Sequence, residues 1–282
     1  MQTVAVFDPV TGAERRISRL GLGCSKVGSL GNPASGAELR ALMRQAFDLG
    51  VTVFDTADIY GQGDSEREIG RALRAVRDQT FVITKFGKQF SPVMRAIRPL
   101  KPVIKPLLAL RGARGGAAVT AQREGVMRED FSPAWLRGAL DASLRRLGRE
   151  QVDAVLLHSP PLAVFGDPAV AELLAELKAS GKVGHFGASC DDADDLAAAL
   201  AIPGLSLLQL PLDVIDHAAA SGLAEQIAQR RITVFAREVI RLQPGLDPLS
   251  AVTQAAARPG VGCVIAGTSR PAHLTQLAQA LG

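Results

Sequence analysis

Four side chains stand out for what they could do to a proton. The stretch FDTADIYG (residues 54–61) holds Asp55 and, five residues on, Tyr60, the one tyrosine of the chain. Lys85 closes the apolar run in VITKFG (82–87), and His158 follows VDAVLL (152–157). A phenol with a pKa near ~10 is a poor acid at neutral pH. An ammonium beside it favours the phenolate and lowers that value, and an ionised carboxylate keeps the ammonium charged and oriented. A histidine next to the phenol can hydrogen-bond a carbonyl oxygen and fix its position. The four together could protonate an alkoxide as it forms, which is the proton half of a carbonyl reduction. Each also has a plainer reading alone: Tyr60 as a buried ring with a satisfied hydroxyl, Lys85 as a solvated strand end. Lys85 could instead serve a lyase as a Schiff-base amine, although a carboxylate at Asp55 raises its pKa and works against that.

Such residues need a frame that brings them to one place. Short Val-, Ile- and Leu-rich runs at 51–54, 80–84, 152–157, 183–189, 205–210, 232–236 and 262–267 read as buried parallel strands, with RLGLG (19–23) as the first. Between them, apolar residues recur every three or four positions at 36–50, 65–76, 132–148, 167–181, 191–201, 218–230, 246–257 and 271–281, the pattern of helices. Ser132 before Pro133 reads as a helix N-cap, and Gly50, Gly148 and Gly181 as helix terminators. Eight strand–helix units predict an α/β fold, a (β/α)8 TIM barrel occupying residues 1–282 as a single domain. A doubly wound sheet is the poorer fit, because GLGCSKVGSLG matches GxGxxG badly and no helix follows it at once. In a barrel, function belongs to the C-terminal ends of the strands. Asp55, Lys85, His158, Ser189, Gln209 and Arg237 all fall there, with Tyr60 on the loop after the second strand.

The chain has 282 residues, 47% apolar and 21% charged, an ordinary globular composition. Cys24, Cys190 and Cys263 lie far apart and offer no metal-ligand spacing, which suits a reducing compartment. No leader-like N-terminus and no apolar run of membrane-spanning length is present, so a cytoplasmic location is expected. The net charge of +4 is local: residues 91–130 carry eight basic and three acidic side chains. A nucleic-acid partner is not expected, since aromatics for stacking bases are missing from this stretch. The segment reads as an insertion after the third strand, at the mouth. It could be a solvated flap, a lid whose arginines recognise an anionic or carrier-bound substrate, or a membrane-surface contact.

Five motifs in order, FDTADIYG…SEREIGRAL, VITKFG, SLRRLGREQVDAVLLHSP, GKVGHFGASC and VIAGTSRPAHL, resemble the successive signatures of the aldo-keto reductase superfamily. The resemblance runs from about residue 17 to the C-terminus, apart from the segment near 91–130. It implies an NADPH-dependent reduction of a small-molecule carbonyl compound, with Tyr60 as general acid alongside Asp55, Lys85 and His158. It also implies a cofactor surface. Ser189 and Gln209 would hold the nicotinamide carboxamide, Cys190 standing where the family has an asparagine. Phe235 would stack on the nicotinamide ring, and Thr268, Ser269 and Arg270 would meet the adenosine 2′-phosphate. Gly23, Cys24, Lys26, Arg237, Gly267, His273 and Gln276 complete that surface. Gln276 and Leu277 replace the usual acidic–asparagine pair at the adenine. These departures leave room for a second reading, an NADPH-binding accessory or sensor barrel with little turnover.

Overall fold

The computed structural model describes residues 1–29, 31–90 and 127–282. Eight parallel strands close into a barrel: β3 (Leu20–Gly23), β4 (Val53–Asp55), β5 (Phe81–Phe86), β8 (Val152–His158), β9 (Val183–Ser189), β10 (Leu207–Pro211), β11 (Thr233–Arg237) and β12 (Val261–Ala266). The circle follows that order and shuts between β12 and β3, where Val264, Ile265 and Ala266 pair with Leu20, Gly21 and Leu22. Helices α1 (Gly36–Asp48), α2 (Asp64–Ala72), α3 (Pro133–Leu147), α4 (Leu162–Phe165) and α5 (Pro168–Ala179) cover the first half. The rest is covered by α6 (Ala193–Ala199), α7 (Leu212–Ser221), α8 (Leu223–Gln229), α9 (Pro248–Ala257) and α10 (Pro271–Ala280). The (β/α)8 architecture is the one expected from the alternating runs.

The strands bury both faces, so they read as continuous apolar runs; all six residues of β5 are buried. Alternate residues then divide between two cores. Val82, Val155, Leu157, Leu208, Val234 and Val264 face the helices. Val53, Phe81, Ile83, Leu156, Leu207, Phe235 and Ile265 fill the barrel. The Ser132 hydroxyl accepts a hydrogen bond from the Trp135 amide at the start of α3, and Gly148 ends that helix at φ 65°.

Four features depart from the expected elements. An antiparallel hairpin, β1 (Thr3–Phe7) with β2 (Glu14–Ser18), precedes the barrel and sends Val6 and Ile17 into its interior core. Its strands bury only one and two residues; the apolar run VAVF of β1 lies outside the strands expected from the sequence, and β2, ERRIS, reads as polar. The helix expected at 218–230 is two, α7 and α8, separated by Gly222 at φ 80°. The helix expected at 65–76 stops at Ala72 and gives way to a 3-10 turn over Arg74–Gln79. A short ribbon, β6 (Lys88–Phe90) with β7 (Met127–Glu129), follows β5 directly. Most of the basic insertion, 91–126, lies outside the described residues. Among the described residues, no helix is long and apolar enough to cross a membrane.

Candidate active site

The same alternation that fills the barrel delivers polar groups to its C-terminal mouth. Following the inward positions along each strand, Val53 leads to Asp55, Ile83 to Lys85, Leu156 to His158, Gly187 to Ser189, Leu207 to Gln209 and Phe235 to Arg237. Apolar side chains hold the lower layers and chemistry occupies the last one.

Tyr60 reaches this layer from the loop after β4, which is tied down at each step. The Thr56 amide donates to the Ile83 carbonyl at 2.8 Å and the Asp58 amide to the Lys85 carbonyl at 3.1 Å. The Thr56 hydroxyl donates to Ser65 Oγ at 2.8 Å, and Ser65 Oγ donates to the Cys24 carbonyl at 3.1 Å. Tyr60 opens a 3-10 turn through Gly63. The next residue, Gly61, sits at φ 57°, where a Cβ would fall 2.6 Å from the Val27 carbonyl oxygen. Only glycine fits both the conformation and the approach.

Lys85 is the hub. Its Nζ donates to Asp55 Oδ1 at 2.7 Å and to the Thr56 carbonyl at 2.9 Å, and lies 5.2 Å from the Tyr60 ring centroid. Lys85 and Asp55 are 1% and 5% exposed, which puts their ion pair out of bulk water. The His158 ring stands edge-on to Tyr60, centroids 5.8 Å apart and planes at 87°. Asp55, Tyr60, Lys85 and His158 are thus brought together as the motifs suggest.

Their electrostatics differ in one respect from expectation. Burial pulls the Lys85 ammonium down, but the Asp55 charge, the Tyr60 phenol and the Asp55 hydrogen bond outweigh it, and the net shift is upward. Burial raises Tyr60, and the opposing charge and hydrogen bond of Lys85 do not cancel it. The phenol is therefore a weaker acid at rest than a free tyrosine, not a stronger one. Burial, reinforced by Lys85, Lys88 and Arg237, drives His158 well below its ordinary value, so the ring is neutral at neutral pH. Its Nδ1 is buried without a hydrogen-bond partner among the described residues.

The Aldo/keto reductase family model matches residues 19–243. The chain belongs to the aldo/keto reductase family. It is 28% identical over 224 residues to the NADH-specific methylglyoxal reductase of Escherichia coli, covering 76% of this chain and 61% of that protein. It is also 28% identical over 229 residues to the D-threo-aldose 1-dehydrogenase of a Pseudomonas species, covering 79% and 66%. The chain thus spans two thirds or less of the length of these curated relatives. A solved structure from Pseudomonas aeruginosa, itself assigned to the aldo-keto reductases, superposes with a TM-score of 0.72 at 25% identity, covering 99% of this chain and 95% of that one.

Aldo/keto reductases work with a nicotinamide cofactor, and the residues expected to meet one fall into two groups. Gly267, Ser269 and Arg270 are exposed and Thr268 half-buried at the β12–α10 junction, and His273 and Gln276 are exposed on α10 itself. Arg270 is the N-cap of α10 and makes no side-chain capping bond, which leaves the helix start open. Gly23 ends β3 beside this junction, and Lys26 is exposed on the turn that follows. Leu277 packs in the core and presents nothing polar.

The other end is more enclosed. Ser189 ends β9 and is 2% exposed. Cys190 and Cys24 are fully buried, and burial pushes both thiols far above their ordinary range. The Gln209 amide donates to Asp55 Oδ1 at 2.8 Å, joining Gln209 to the Lys85 hub. The Phe235 ring is wholly enclosed among the barrel-core side chains, one inward step below the mouth. Arg237 occupies the mouth end of β11 instead. It donates to the Cys190 carbonyl at 2.9 Å and pairs with Asp191 and Glu238, and its charge is felt at Tyr60, Lys85 and His158.

His185, at the other end of β9, lies against Phe81 and 3.2 Å from Ser206 Oγ, away from the mouth. The sequence gives less warning of Asp58. Burial and the neighbouring Glu66 raise this carboxyl well above its ordinary range, and its Oδ1 is buried without a partner among the described residues. Its place in DTADIY next to Tyr60 is the only signal.

Proposed function

We propose that this chain is a nicotinamide-dependent oxidoreductase, one barrel domain over 1–282, that reduces an aldehyde or ketone to an alcohol. The observation that carries the reading is the Asp55–Lys85–Tyr60 line, a buried ion pair under a phenol with a neutral imidazole at its edge. In this reading Tyr60 is the general acid. Because its resting pKa is raised, the phenol holds its proton at neutral pH until charge develops on the substrate oxygen. The Lys85 ammonium then stabilises the phenolate left behind, and Asp55 keeps that ammonium in place. His158, being neutral, offers an N–H to the substrate oxygen without competing to deliver a proton.

The bound nicotinamide cofactor supplies hydride to the carbonyl carbon. The half-buried Thr268 and the exposed Ser269 and Arg270, with the open helix start of α10, suit a phosphate group. A guanidinium there pairs well with a 2′-phosphate, which favours NADPH over NADH, in contrast to the NADH-specific Escherichia coli relative. Ser189 and Gln209 would face the carboxamide, and Cys190 adds nothing to that grip. The raised Lys85 pKa speaks against a Schiff-base lyase, which needs a free amine. The enclosed Cys190, the apolar Leu277 and the engaged Gln209 amide favour one second reading, a cofactor-binding barrel with little turnover. Three buried thiols suit a reducing cytoplasm.

Tyr60→Phe tests the assignment. NADPH binding by fluorescence should survive, while oxidation of NADPH over a panel of aldehydes and ketones should fall roughly 10²- to 10⁴-fold, the usual weight of a general acid. Equal turnover in both proteins would remove Tyr60 from the chemistry. Binding without turnover in the native chain would favour the accessory reading.

A further inference from the structure

On the outside of the barrel, a groove of about 710 Å3 runs between α2 with its following 3-10 turn and α3. Six of the ten residues lining it are arginines (Arg67, Arg71, Arg74, Arg77, Arg145 and Arg146), and none is acidic. The floor is Gly70, where a Cβ would lie 2.3 Å from the Leu147 carbonyl oxygen. That glycine lets the two helices touch backbone to backbone, so their long side chains stand up as walls on either side.

Most of these guanidiniums are already answered. Arg71 pairs with Glu68 at 2.9 Å, Arg67 with Asp64 at 3.2 Å and Arg77 with Asp78 at 3.6 Å, while Arg146 meets the fully buried Glu66. Arg74 and Arg145 are exposed and have no hydrogen-bond or ion-pair partner among the described residues. Cations near helix C-termini are favourable, which accounts for Arg71, Arg145 and Arg146. It does not account for two such ends walling one concavity together with Arg67, Arg74 and Arg77.

The structure assigns this groove as a binding site for a ligand carrying adjacent phosphate groups. Guanidinium forks match phosphate oxygens in pairs, and a row of them matches a polyphosphate better than a single carboxylate. The volume is that of a small-molecule site. α2 and α3 both end here, shortly before the starts of β5 and β8, so the site is at the opposite end of the barrel from Tyr60. It is independent of the proposed reductase activity.

Calorimetric titration of the full chain with inorganic tripolyphosphate at physiological salt tests the assignment, with orthophosphate as the weak comparator. Arg74→Gln and Arg145→Gln alter exposed side chains, and each should weaken tripolyphosphate binding roughly tenfold, the double variant about a hundredfold. Arg270→Gln, which changes the phosphate-suited end of the mouth, should leave in place the tripolyphosphate binding that the Arg74→Gln/Arg145→Gln double variant loses. Failure of the native chain to bind, undiminished binding in the double variant, or loss confined to Arg270→Gln would each overturn it.

Discussion

Because Tyr60 is the one tyrosine of the chain, its ionisation can be read directly in the ultraviolet against a single tryptophan that does not titrate. The perturbation to make is Lys85→Met, which keeps the length of the side chain and removes its charge. The ammonium lies 5.2 Å from the phenol ring centroid. At an effective dielectric constant of about 20, unit charges at that distance attract by about 3 kcal/mol. Removing the ammonium should therefore weaken the phenol as an acid by on the order of a hundredfold. Native Tyr60 should already titrate above pH 10, since burial outweighs Lys85. The variant should show no phenolate absorbance at the native midpoint. Far-UV circular dichroism taken in parallel separates ionisation of the folded chain from alkaline unfolding. If the folded variant titrates where the native chain does, Lys85 is not coupled to the phenol, and its place in the proposed mechanism falls.

Two further tests address stability. Burial, followed by the Lys178 charge, lowers His185 from 6.5 to about 4. The unfolded chain then binds the extra proton first, so stability is full above about pH 6.5 and is lost as the pH falls towards 4. The loss amounts to about 3 kcal/mol. Urea midpoints measured across that window should fall in the native chain and much less in His185→Gln; parallel curves would refute the assignment. Glu66, fully buried, accepts from Thr84 Oγ1 at 2.7 Å and pairs with Arg146. Glu66→Ala leaves that guanidinium uncompensated and should cost roughly 3 to 5 kcal/mol in urea unfolding. A loss below about 1 kcal/mol would show that solvent already screens the pair.

The barrel was legible because strands buried on both faces leave continuous apolar runs, and helices between them keep their own period. The hairpin at Thr3–Ser18 was not: β1 carries the run VAVF, of which only Val6 is fully buried, and its partner ERRIS is mostly polar and gives no strand signal of its own. Order in the mouth was partly legible. Counting alternate positions through TVFAR puts Phe235 inside and Arg237 one step higher, so the enclosure of Phe235 follows from the period of a strand. The link from Gln209 to Asp55 spans 154 positions and depends on barrel closure. The sign of the Tyr60 shift is a competition between burial and charge. Burial is a property of the assembled mouth, and no motif carries it.

The ribbon of β6 and β7 has a consequence for how this barrel can vary. Phe90 and Met127 are paired directly, as are Gln89 with Arg128 and Lys88 with Glu129. Whatever chain connects Phe90 to Met127, the barrel meets it as one stalk with its ends already joined. The entropic cost of closing a longer loop rises only logarithmically, by about 0.6 kcal/mol for each doubling. Lengthening or shortening the connection beyond the stalk therefore costs the fold little closure entropy. The stalk begins three residues after Lys85, and the Lys88 charge at its base reaches His158. The chain therefore carries a cassette position at the rim of its reactive layer, open to evolutionary rewriting or deliberate grafting while the barrel below stays as it is.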